Sequence, residues 1–231
     1  MTTTAFPAKW DTDIQFYERS YLFMNKFTKG VCLGIALLSL ASCSGTLVNL
    51  KYENGQMINK RLGLAYTPAP TNYEPVSVGE AYGYYEKSDM TLYEIKGLDP
   101  KEWLTQAYAG SATTIFYSDD STLPTLAELE PNKIFVTEGE SVTISIVTVN
   151  DQTVIDGLVD IFENGTYAEW PLIDAYKTYE LKFYSEEKYP HIYYNLTYGE
   201  FAEGTFLYDR NTKHSVMIGD ALADFIPSAK P

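Results

Sequence analysis

One segment of this chain repeats its apolar residues at helical spacing for three turns: Val154, Ile155, Leu158, Val159 and Phe162, with Asp156, Asp160 and Glu163 on the other side. Residues three and four apart share one helix face, so this segment is an amphipathic helix over about 152–163. Asn150-Asp151 offers its N-cap and Asn164-Gly165 its stop. Elsewhere from Leu50 onward the chain is rich in Val, Ile, Thr, Tyr and Phe, broken by Gly, Pro, Asn and Asp. That is the composition of short strands and turns. One amphipathic helix among many strands predicts an α+β fold: a mostly antiparallel β-sheet with the helix packed on one face.

The individual elements follow from local patterns. In "LKYENGQMINKRLGLAY", Asn54-Gly55 separates two short runs and signals a hairpin. "TPAPTNYEP", residues 67–75, holds three prolines and reads as a loop or extended linker. "MTLYEIKGL" alternates, with Thr91, Tyr93 and Ile95 on one side and Leu92, Glu94 and Lys96 on the other. Asp99-Pro100-Lys101-Glu102 has the N-cap, first-turn proline and acid of a helix start, predicting a short helix through Trp103 and Leu104. "TTIFYS" (113–118) is a strand, and the proline-bearing segment 119–133 is the candidate division between two sub-lobes. "SVTISIVTV" (141–149) alternates with Val142, Ile144 and Ile146 on its apolar side. Three strands follow the helix, "TYELKFYSE", "HIYYNLTYG" and "GTFLYDR", then a strand "HSVMI" and a short helix over Asp220 to Ile226.

Upstream lies a different kind of segment. Val31 to Ala41 is an eleven-residue apolar run with Lys26 and Lys29 before it and small residues after it. A helix spanning a bilayer needs about 20 residues. A basic flank, an apolar core of roughly 7–15 residues and a small-residue exit instead make a secretory signal peptide. The exit, Leu40-Ala41-Ser42-Cys43, resembles the lipobox of bacterial lipoproteins. The resemblance implies cleavage before Cys43, diacylglycerol on its thiol, and often an acyl chain such as palmitate on its amine. It covers about twenty residues of the chain and implies a cell-membrane location on the extracytoplasmic face. Met24 stands just ahead of the lysines, whereas Asp11, Asp13 and Glu18 do not suit a basic flank. Residues 1–23 therefore read as an over-extended start, 24–42 as signal peptide and 43–231 as the mature extracytoplasmic domain.

Residues 43–231 carry 13 Lys/Arg and 28 Asp/Glu, a net charge of −15. Phosphate backbones repel such a chain, so nucleic acid is not an expected partner. Anionic headgroups repel it too, which leaves membrane attachment to the acyl chains. Of two cysteines, Cys32 lies in the signal core and Cys43 takes the lipid. No thiol is left for a disulfide, a nucleophile or a metal, and no cofactor is expected.

No constellation of catalytic residues emerges. His191 and His214 are the two histidines, far from any HExxH spacing, and read as solvent-facing strand ends. There is no GxSxG elbow and no GxGxxG loop. Acidic pairs such as Asp119-Asp120 and Glu186-Glu187 read as solvated loop charges. Tyrosine is the anomaly, with 18 after Cys43. In "HIYYNLTYGE" the apolar face of Ile192, Tyr194, Leu196 and Tyr198 is expected to pack on the helix. His191, Tyr193, Asn195 and Thr197 then face water, joined by Glu180, Lys182 and Tyr184 of the preceding strand. Tyr184, Tyr193, His191 and Asn195 form the candidate binding site, an aromatic platform edged by polar groups for a protein, peptide or glycan ligand. The expected function is a membrane-anchored, non-catalytic binding module. The alternative is a carboxylate-based hydrolase of cell-envelope or polymeric substrates, because a carboxylate pair leaves no local signature.

Overall fold

The computed structural model describes residues 47–108, 111–138 and 144–227. Cys43 and the residues before it lie outside the described residues, as does Val142. The described chain is largely β. In chain order the first nine strands are β1 (Val48–Asn49), β2 (Lys51–Glu53), β3 (Gln56–Asn59), β4 (Leu64–Pro68), β5 (Tyr73–Pro75), β6 (Val78–Tyr85), β7 (Met90–Ile95), β8 (Trp103–Tyr108) and β9 (Ser111–Ser118). Six more follow: β10 (Lys133–Glu138), β11 (Ile144–Val149), β12 (Lys177–Tyr184), β13 (Ile192–Glu200), β14 (Thr205–Tyr208) and β15 (Ser215–Met217).

The expectation of a single sheet needs correction, because the strands form two. The first runs β1-β6-β7-β8-β9-β4-β3-β2. Its two edge strands are consecutive in sequence, separated only by Leu50. Residues 48–53 thus serve both edges, pairing parallel with β6 and antiparallel with β3, and the sheet curls into a small barrel. The Leu50 N–H donates to the Tyr84 carbonyl at the junction. Gly83 makes the closure possible: a Cβ there would lie 2.9 Å from both Leu50 Cδ1 and the Val48 carbonyl oxygen. Leu50, Met57, Tyr66, Leu92, Leu104 and Phe116 fill the barrel. The hairpin at Asn54-Gly55 forms with both residues left-handed, φ 53° and 86°, the geometry a two-residue turn needs.

The second sheet runs β11-β10-β12-β13-β14-β15, with β5 also paired to β13. Its inner face carries Ile134, Val136, Leu181, Phe183, Ile192, Tyr194, Leu196 and Tyr198, all buried. The helix Gln152–Asn164 lays Ile155, Leu158 and Phe162 into this core, with Val159 half-buried beside them. The Asp151 carboxylate caps it by accepting from the N–H groups of Thr153 and Val154 at 2.9 and 3.3 Å. Gly165 ends it with an extended backbone, φ −71°, and a Cβ there would run into the Ile161 carbonyl. Three barrel strands are buried on both faces. Leu92, Leu104 and Phe116 point into the barrel, while Ile95, Trp103 and Ile115 join the core under the second sheet. The described residues form one compact unit.

Four local expectations are also overturned. Asp99 does open a turn, its carbonyl accepting from Glu102 and Trp103, but Trp103 and Leu104 then pair with Tyr117 and Phe116 as strand. Ladder hydrogen bonds and burial on two faces outweigh a cap that satisfies only one turn. Part of "TPAPTNYEP" is strand, since Tyr73, Glu74 and Pro75 pair with Tyr194, Tyr193 and Ile192. Ile144 and Ile146 are exposed, because Val147 and Val149, opposite Val136 and Ile134, are the residues β11 turns toward the core. Residues 220–226 make successive tight turns, Ala223 to Asp220 and Ile226 to Leu222, and no continuous helix.

Candidate functional site

The outer face of the second sheet is set by register. Tyr184 stands opposite Tyr193, Lys182 opposite Asn195 and Glu180 opposite Thr197 on β12 and β13. On the far side of β12, Phe135 stands opposite Lys182, and β5 brings Glu74 opposite Tyr193. Alternation along each strand puts all of these on the face away from the helix.

At one end, three rings meet. Tyr184 and Tyr193 have centroids 5.4 Å apart, and Phe135 lies 6.0 and 5.9 Å from them. The rings are tilted by 49–81° to one another, with Phe135 edge-on to Tyr193. Tyr184 donates its hydroxyl to the Pro190 carbonyl at 3.2 Å. Tyr193 is half-buried, and burial, then the neighbouring Tyr184 and Glu74, raises its hydroxyl above the ordinary value of 10.0. The Lys182 ammonium sits 5.6 Å from the Tyr193 ring centroid.

Beside the rings runs a charged strip. Lys182 donates to both Glu74 carboxylate oxygens at 2.8 and 2.6 Å, and Asn195 Nδ2 donates to Glu74 Oε2 at 3.0 Å. The buried Asn195 Oδ1 has no hydrogen-bond partner among the described residues. Glu180 accepts from Thr197 at 3.4 Å and pairs with Arg210 at 2.5 Å. Burial raises its carboxyl above the usual 4.5, while Arg210, Thr197 and Lys182 pull it down.

Of the four predicted site residues, the structure brings together Tyr184, Tyr193 and Asn195 on this face. His191 stands apart and is half-buried: its ring packs so tightly against Gly97, φ +88°, that a Cβ there would strike it. His214 is half-buried as well, its Nε2 lying 3.0 Å from the Phe162 carbonyl at the helix end. Both correct the expectation of solvent-facing strand ends. Phe135 and Glu74 were missed. Glu74 lay in a segment read as loop, and the β10–β12 pairing that brings in Phe135 leaves no local mark in sequence.

A cleft of about 590 Å³ opens elsewhere, between the polar side of the helix and the turn 185–188, with Glu130, Asp156, Asp160, Glu163 and Glu187 facing Lys188. Among the described residues no group of three or more His, Cys, Asp or Glu side chains is placed to hold a metal ion, and no helix is long and apolar enough to cross a membrane. Comparison with known proteins finds no matching family model, no similar curated protein and no similar solved structure.

Proposed function

We propose that this protein is a bacterial lipoprotein, anchored through Cys43 on the extracytoplasmic face of the cell membrane, whose domain binds a ligand without catalysis. The observation that carries the binding role is the Tyr184–Tyr193 pair, 5.4 Å apart and joined by Phe135, on a sheet face that the helix leaves uncovered. Aromatic area beside the Lys182–Glu74–Asn195 hydrogen-bonding strip suits the apolar face and hydroxyls of a glycan, or an anchor side chain of a protein or peptide. The leader sequence supports the anchor. Two tests separate the parts. Cys43→Ala is expected to release the domain or leave an uncleaved precursor, and an unchanged processed, membrane-bound form refutes the anchor. Tyr184→Ala and Tyr193→Ala are expected to abolish capture of isolated cell-wall glycan or surface peptide with melting unchanged. A large loss of stability from either shows that the rings are core and removes the site.

One observation favours a second reading, the carboxylate hydrolase. Glu180, with its raised carboxyl, and Glu74, paired with Lys182, share this face. Two carboxyl groups on one face are what glycosidic hydrolysis uses. Turnover of a cell-wall glycan that disappears in Glu180→Gln would favour it over binding.

A further inference from the structure

Ten large apolar side chains stand exposed among the described residues, and five of them lie on one loop and the strand its start is bridged to. Four come from the loop between the helix and β12: Tyr167 (59% exposed), Leu172 (96%), Ile173 (56%) and Tyr176 (48%). The fifth, Met217 (48%), neighbours Val216, which bridges to Tyr167. A soluble surface rarely gathers apolar groups so densely without a partner.

The loop is held in place. At its start the Ala168 N–H donates to the Ser215 carbonyl at 2.9 Å, and at its end the Tyr176 N–H donates to the Glu200 carbonyl at 2.8 Å. Between them Trp170 lies over Gly199, stacks on Tyr208 at 4.8 Å and 29°, and meets Phe201 edge-on at 4.9 Å. The backbone and Trp170 are ordered by the fold, while Leu172 and Ile173 are left outside it. A segment already fixed in its presented shape loses little freedom on docking.

Charge selects the occupant. Glu169, Asp174 and Glu203 are exposed on the loop and the adjoining 201–204 turn, and of the neighbouring cations Lys177 is turned toward the Pro227 carbonyl at 3.1 Å and Lys213 lies 5.8 Å over the Tyr208 ring. An anionic bilayer repels such a rim. A second copy would set the same carboxylates against each other, and like charges across an interface oppose association. We infer that the 167–176 loop is a docking element for a different protein, one that offers an apolar pocket rimmed by Lys or Arg. The loop's base lies over the same sheet face as the Tyr184–Tyr193 pair but six positions further along β13, at Gly199, a span of about 20 Å from Tyr193, so ligand and protein partner can be held together.

The test uses the full-length chain in its producing cells, with a photo-crosslinking amino acid at position 172 or 176 and a control at exposed position 153. Expected is one discrete protein adduct at 172 and 176 and none at 153. Its yield should fall at least about fivefold when washed cells are irradiated at about 0.5 M instead of 0.05 M salt, because screening weakens rim pairing. Leu172→Ser with Ile173→Ser should reduce the adduct at 176 about tenfold or more with the melting temperature unchanged, and Asp174→Lys should weaken it with the apolar tip intact. The adduct should persist in Tyr193→Ala, which separates this proposal from the ligand face. An adduct to a second copy, to lipid alone, to no protein, or one indifferent to salt and to Asp174→Lys overturns the proposal.

Discussion

Adding one methyl group at each of two glycines should have effects of opposite sign. Gly199 lies under Trp170, where a Cβ would sit 2.7 Å from Phe201 Cε2 and 3.0 Å from Trp170 Cζ2, with Trp170 Cη2 closer still. Gly199→Ala therefore expels the indole. Overpacking of this kind costs about 1–3 kcal/mol, and loss of the Tyr208 stack and the Phe201 edge contact adds about 0.5–1.5 kcal/mol each. A net loss of about 2–6 kcal/mol lowers the melting temperature of a domain this size by roughly 4–24 °C. Gly157 sits in the exposed interior of the helix with nothing within 4 Å of its added Cβ. Gly157→Ala should gain about 0.5–1 kcal/mol in helix propensity and raise the melting temperature by roughly 1–4 °C. The assay is thermal unfolding followed by circular dichroism, with tryptophan fluorescence as local reporter. Trp103 is buried beneath the second sheet, so in the 43–231 chain, which lacks Trp10, a red shift in Gly199→Ala reports Trp170. If Gly199→Ala melts within about 1 °C of wild type with unshifted fluorescence, the packing of the loop base is not as described.

The remaining predictions concern the core and the charged strip. Leu158→Ala removes a fully buried side chain between the helix and the second sheet and should cost about 2–5 kcal/mol, read as a lowered denaturation midpoint with an unchanged slope; a loss under about 1 kcal/mol would contradict its burial. Glu180, raised above 4.5 in the folded protein chiefly by burial, favours folding in its neutral form. Its contribution is complete below pH 4.5 and is lost as pH rises through the raised value. The melting temperature of wild type relative to Glu180→Gln should therefore decline across that window, and a constant difference between the two would show that burial does not control this carboxyl.

Local elements were legible where one interaction decides them. The helix announced itself through Asp151 and a three-turn apolar stripe, and Ile192, Tyr194, Leu196 and Tyr198 lie inward as their alternation requires. What stayed hidden were pairings between distant segments. Nothing near Leu50 marks the bend that lets one strand serve two edges of a sheet. Leu92 and Ile95 look like the two sides of a half-exposed strand, yet each enters a different core. Pro75 disguised β5, since a residue without an N–H reads as a break and is tolerated here at the margin of β13. The same strand supplies Glu74, so the carboxylate partner of Lys182 was invisible for the reason that its strand was.

That short strand also sets the order in which the chain can acquire its shape. Residues 73–75 pair with 192–194, and the Asn72 carbonyl accepts from the Asn195 N–H at 2.7 Å. Tyr73 reaches back to the Pro124 carbonyl at 2.6 Å and packs its ring 5.1 Å from Tyr194. A nascent chain that ends before β13 has no partner for β5 and no lid for the outward faces of Ile95, Trp103 and Ile115. Such non-local closure makes folding slow and concentrates it late, so the barrel emerges with its sticky side open and is completed only when the last third of the chain arrives.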